Sequence, residues 1–168
     1  SIDYLDVQEV HEVPKRIPNW NDKNQIYFTP HPLKTPGVEK QEKSQALPGA
    51  TLWVECDDFN FDAESFGWAP SAAVETSPGR FHFYWFLDHY YPPHQIEEVN
   101  RALTYAYMTV DRSGWPLCKY LRLPGSLNLK RAQPHVVTIR FLNPERRYEL
   151  SDFSSLPRQQ GSVSEADI

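Results

Sequence analysis

Cysteine is scarce in this 168-residue chain. Two residues are too few for a disulfide framework, so the fold has to hold without crosslinks. Long apolar runs are also missing. The longest uninterrupted stretch falls far short of the ~18 residues of a membrane span, and no charged-then-apolar leader opens the sequence. The expectation is a soluble, cytoplasmic protein with no membrane partner. Nor does positive charge dominate: the formal net charge of -5 argues against a uniformly basic nucleic-acid coat.

Apolar residues make up 40% of the chain and aromatics 14%, enough for a real core in what is most economically one domain. The charge is uneven. From Arg112 to Arg147 there are eight Lys or Arg residues against one acid, Glu145, a local surface able to hold phosphates or simply to face solvent. The start at Ser1 leads us to expect an excised or processed chain.

Residues 1–24, with Pro14 and Pro18, read as an N-terminal arm, residues 25–150 as the folded domain, and residues 151–168 as a flexible tail or linker. Within the domain, 25–29 is β-rich and 29–43 is a proline-punctuated loop. Residues 47–57 form a second strand. Residues 72–76 and 80–87 form a hairpin about Ser77-Pro78-Gly79-Arg80, which has Pro and Gly at the central positions of a type II turn. Ile96, Val99, Leu103, Ala106 and Val110 recur at helical spacing, predicting a helix over 94–110 with Asp111 at its end. Residues 121–123 and 127–129 flank a second Pro-Gly turn, and 136–142 is a final strand. Hairpins with one long helix indicate an α+β domain with a mainly antiparallel sheet.

Four patches in order carry the chemistry. Glu55 and Asp57 stand two apart on a strand, so both carboxylates share a face. They suit Mg²⁺ or Mn²⁺, or else mark a strand end meeting solvent. Arg80, His82 and Tyr84 alternate onto one face and Phe81, Phe83 and Trp85 onto the other, a natural core face. The first face sets a guanidinium and an imidazole beside a Gly-containing turn with Ser77, where backbone can approach an anion. Asp111 either punctuates a helix end or joins Glu55 and Asp57. Arg122, Asn128 and Lys130 surround Pro124-Gly125, as a phosphate-facing turn or a surface turn with incidental charge.

The order acid-x-acid, Ser-to-His hairpin, third acid, then Arg-x-Pro-Gly-x-x-Asn-x-Lys resembles the archaeo-eukaryotic primase superfamily. Within it, the order is most similar to the RepB-like and primase-polymerase (PrimPol) branch of plasmids, phages and mobile elements. The likeness runs over residues 25–142. It implies an RRM-like catalytic core with an added α/β unit, and template-directed nucleotidyl transfer on single-stranded DNA with NTPs or dNTPs. Glu55, Asp57 and Asp111 would hold Mg²⁺ or Mn²⁺; Ser77, Arg80 and His82 would hold the triphosphate, and Arg122 and Lys130 triphosphate or template. Two departures stand out: Glu55 where the family has Asp, and a wider Ser77–His82 spacing. The resemblance also implies a larger parent protein with a helicase or helical accessory domain. Two other readings remain open: a degenerate module that binds single-stranded nucleic acid without catalysis, and a rolling-circle replication nuclease. The latter generally has two histidines straddling one residue, whereas His82 has Arg80 and Tyr84 at those offsets.

Overall fold

The computed structural model describes residues 11–20, 24–34, 43–57, 66–107 and 110–157. Its centre is a twelve-residue strand, and the sheet is built outward from it. Helix α1 (Val13–Trp20) is followed by β1 (Tyr27–Phe28), β2 (Gly49–Cys56), β3 (Ala72–Ser77) and β4 (Arg80–Tyr91). Helix α2 (Pro93–Ala106) leads to β5 (Leu121–Arg122), β6 (Leu127–Asn128), β7 (His135–Val136), β8 (Thr138–Leu142) and β9 (Arg147–Tyr148). The main sheet runs β2-β4-β3-β8 with antiparallel neighbours, and β9 adds in parallel to the far part of β4. Two short ladders, β1-β5 and β6-β7, complete an α+β fold with mainly antiparallel pairing, as the sequence predicts.

Both Pro-Gly turns take the left-handed glycine they need, with φ of 75° at Gly79 and 85° at Gly125. The first closes the β3–β4 hairpin, where Ser77 lies opposite Arg80. The second does not join two paired strands: β5 pairs with β1, and β6 with β7. The expected strand over 136–142 is interrupted at Val137, which exchanges hydrogen bonds with that turn: Gly125 N–H to Val137 O and Val137 N–H to Ser126 O, both 2.8 Å. Two backbone bonds to the turn outweigh continuation of one straight strand.

Cross-strand register assigns the two faces of the sheet. Leu52, Val54, Phe83, Trp85 and Ala73 share one face, covered by α2 and Phe66, whose ring meets those of Phe83 and Trp85 edge-on. Trp53, Tyr84, His82, Ala72 and Val74 share the other. The second face is also buried, since Phe28 packs toward Tyr84 and Trp53, Tyr84 and His82 are each at most 6% exposed. The sequence reading took only the first of these as core; strands covered on both sides lose the alternation that marks a solvent face.

Three expectations for the ends of elements are corrected. Residues 13–20 are helical rather than an irregular arm. Pro14 lies in the first turn, where its missing N–H is not needed, and Pro18 costs only one bond of a short helix. Helix α2 stops at Ala106, with Tyr107 extended, and Val110 forms an antiparallel bridge with Cys56 instead of a last helical turn. A buried apolar residue satisfies the helical period whether a helix or a strand edge buries it. Finally, 151–157 is packed rather than frayed. Leu150–Phe153 form a 3-10 turn capped reciprocally by Glu149 and Asp152, Phe153 is 2% exposed, and its ring lies 5.0 Å from that of Trp68. The remainder of the tail lies outside the described residues.

Candidate active site

Strand β2 is the outer strand of the main sheet, and irregular chain rather than another strand closes its free side. Asn100 Oδ1, on α2, accepts the Trp53 backbone N–H at 3.0 Å. Further along, Asp111 donates its N–H to Glu55 O at 2.8 Å beside the Cys56–Val110 bridge. The chain then turns sharply. Asp111 Oδ1 accepts both the backbone N–H and the hydroxyl of Ser113 at 2.8 Å, and Gly114 N–H returns to Asp111 O at 3.1 Å. Trp53 Nε1–H donates to Gly114 O at 2.9 Å and locks this loop onto the second face of the sheet. The third acid of the sequence pattern is thus fixed beside the first by backbone hydrogen bonds.

Glu55 is the most constrained of the predicted acids. It lies opposite His82 in the β2–β4 ladder, with Oε1 3.5 Å from His82 Nε2. Its Oε2 is 2.7 Å from Lys119 Nζ, in a contact that is ionic but outside hydrogen-bond geometry. Burial pushes the Glu55 carboxyl up, yet its pairing with His82 and then Lys119 outweighs this and holds the group below the usual carboxylate range. Tyr84 Oη lies 3.5 Å from His82 Nδ1; burial, reinforced by the Glu55 charge, pushes its phenol far up, so it stays a neutral hydroxyl.

Asp57 is exposed and pairs with Arg80 at 3.3 Å. Ser77 is buried at the foot of the hairpin, opposite Arg80. Glu55, Asp57, Arg80 and His82 therefore form one contiguous patch, with Asp111 bonded to its margin. The other predicted cations have different partners. Arg122 is 7% exposed, lies 5.0 Å from the centre of the Tyr27 ring, and has an Nη1 without a hydrogen-bond partner. Lys130 is exposed and follows Asn128, whose side chain donates to Thr76 O at 2.8 Å and so ties that segment to the end of β3. No ion pair joins Arg122 or Lys130 to the three acids among the described residues.

Two residues of this site escaped the sequence reading. Lys119 belongs to the basic stretch, but no spacing ties it to Glu55. Gly114 makes a close approach: a β-carbon there would stand 3.0 Å from Glu55 Oε2 and 3.2 Å from Asp111 O, so one of them would have to shift. Its only sequence signal is its position three residues after Asp111. Among the described residues, no three His, Cys, Asp or Glu side chains form a ready-made metal cluster. The acid set is nevertheless chemically suited to a hard divalent cation, and Glu55 Oε2 is a buried carboxylate oxygen with no hydrogen bond of its own.

No protein-family model matches the chain, and no curated protein does. Solved structures do. The AEP domain of the cyanophage S-2L primase-polymerase (PrimPol) superposes with a TM-score of 0.64 at 16% identity, over 88% of this chain and 77% of that one. The catalytic domain of primase RepB′ in complex with initiator DNA gives 0.64 at 19% identity, over 87% and 71%. For a further structure of primase RepB′ the values are 0.61 and 18%, and the chain spans 46% of its length. The chain therefore shares the fold of these primase and primase-polymerase catalytic domains.

Proposed function

We propose that this chain is the catalytic domain of a DNA primase or primase-polymerase, transferring nucleotides onto a strand paired with single-stranded DNA. The observation that carries the reading is the juxtaposition on one sheet face of Glu55 and Asp57 with Arg80 and His82, with Asp111 hydrogen-bonded to the same strand. The fold agrees with it. In such a reaction the 3′-hydroxyl oxygen attacks the α-phosphorus, a phosphodiester forms and pyrophosphate leaves.

Glu55, Asp57 and Asp111 would hold Mg²⁺ or Mn²⁺, which when bound neutralises charge on the attacking and leaving oxygens. The protein's own groups do the rest. Arg80, on the exposed lip of the Pro-Gly turn, offers a planar fork to the triphosphate of an NTP or dNTP. His82 and Ser77 sit behind it. Lys119, with His82, favours ionised Glu55, and with a divalent cation held at that carboxylate its ammonium would be available to phosphate. The Asn128–Lys130 segment flanks the same end of the hairpin through Thr76.

The Glu55–Lys119 pair also supports a second reading, a degenerate domain in which an internal cation permanently replaces the metal and only strand binding remains. Extension of a labelled, annealed DNA primer with dNTPs and Mn²⁺ separates the two. The polymerase reading expects extension that Asp57→Ala and Asp111→Ala each abolish and that a chelator stops; full activity in either variant sinks it. Strand binding with no incorporation establishes the degenerate domain.

A further inference from the structure

Strand β3 carries one residue that the sheet alone does not explain. Every residue of β3 is buried, and Glu75 stands opposite Phe81 on the face that also holds Ala73 and Phe83, yet it is a carboxylate at 6% exposure. Burying a charge is costly unless it is paired, and an apolar side chain of similar volume would serve the sheet at least as well. Both oxygens of Glu75 are engaged. Oε2 meets the Arg140 guanidinium from β8 and lies 3.9 Å from His135 Nε2 on β7, a nitrogen with no hydrogen bond of its own. Oε1 reaches forward four residues and accepts the Gly79 N–H at 3.4 Å, inside the Pro-Gly turn.

That turn carries Ser77 and Arg80. The β3–β4 ladder shifts register between Glu75 and Ser77, and an irregularity of this kind re-aims the side chains beyond it. Thr76 sits at the shift: its hydroxyl donates to Arg80 O at 3.4 Å, and its carbonyl accepts the Asn128 side chain at 2.8 Å. Asn128 and His135 stand opposite each other in the β6–β7 ladder, so that ladder and β8 together brace Thr76 and Glu75. A Pro-Gly turn closes a hairpin without such help. What the carboxylate adds is a fixed Gly79 and so a fixed direction for Arg80, whose guanidinium stands 3.3 Å from Asp57.

We propose that Glu75 is a positioning residue for nucleotide binding: anchored by Arg140, with His135 beside it, it holds the Pro-Gly turn so that Arg80 presents its fork to the triphosphate. This rests on the nucleotidyl-transfer reading and adds to it a residue that acts through the turn. The test is steady-state extension of an annealed DNA primer with Mn²⁺ and varied dNTP, on wild type, Glu75→Gln and Arg140→Gln. Glu75→Gln keeps the shape of the side chain, and Arg140→Gln breaks the same pair from its exposed end.

A displaced turn loosens the grip on the triphosphate, so the KM for dNTP should rise about tenfold in both variants with kcat within about threefold. Affinity for single-stranded DNA, read by fluorescence anisotropy, should stay at the wild-type value. A merely structural lesion instead lowers the active fraction, which cuts kcat at constant KM. That result, or an unchanged KM in either variant, overturns the assignment; should Glu75→Gln fail to fold, Arg140→Gln decides alone. Wild-type extension keeps the two questions separate. A wild-type protein that extends while the variants keep its KM refutes the positioning role alone, whereas one that does not extend refutes the nucleotidyl-transfer reading and the positioning role with it.

Discussion

Replacing Lys119 with methionine keeps the aliphatic stem and removes the only ammonium in contact with Glu55 among the described residues. The two side chains are 24% and 18% exposed. An exposed ion pair contributes about 0–1 kcal/mol, and removing one partner of a fully buried pair costs about 3–5 kcal/mol. Solvent screening of this half-open pair places Lys119→Met between those limits, at about 1–3 kcal/mol of lost stability at pH 7. Urea unfolding followed by the fluorescence of the five tryptophans measures it.

The pH dependence is the sharper part. Glu55 has a folded pKa held below its ordinary value, so its stabilising contribution is full above the unfolded carboxylate pKa of about 4.3 and is lost as pH falls through the folded value. The difference between wild type and Lys119→Met should therefore be widest near neutral pH and shrink once the medium is more acidic than the ordinary carboxylate range. Mn²⁺ should then stabilise the variant more than the wild type, because the cation no longer competes with an ammonium for Glu55. A difference under about 0.5 kcal/mol at pH 7, within the range of ordinary surface substitutions, or one that stays constant into acid, refutes this account of the pair.

Gly114→Ala puts a methyl group against Glu55 Oε2 and Asp111 O, so it should cut primer extension at least tenfold while changing stability far less; unchanged kcat in steady-state extension would show that the carboxylate tolerates the shift. Phe153→Ala removes a ring that is 2% exposed and packed against Trp68 and Tyr148, and should cost about 3 kcal/mol by thermal or urea unfolding. A loss under about 1 kcal/mol would mean that residues 151–157 are dispensable to the core.

What could be read from the sequence divides along physical lines. Glycine-dependent turns were legible because Pro-Gly chemistry is local: Gly79 and Gly125 both take positive φ where expected. The β3–β4 hairpin was implicit in two short strands joined by one tight turn, with Ser77 opposite Arg80. Contacts that depend on long-range closure were not legible. Val110 matched the helical period and yet pairs with Cys56, and Lys119 reaches Glu55 only because the loop from Asp111 doubles back beneath Trp53. Arg122 was singled out by residue type alone, and its place over the Tyr27 ring depends on the β1–β5 ladder, which no local signal announces.

The loop that brings Asp111 to Glu55 has a second effect, on how the protein meets its neighbours in solution. An outer strand with free N–H and C=O groups is a template for another chain to add to, and proteins guard such edges by covering them. Here the cover on β2 is the Asn100 side chain and the Val110–Asp111 backbone, so the segment that assembles the acidic patch also shields the sheet. Substitutions that loosen this segment should lower activity and solubility together, and variants that lose one should be screened for the other.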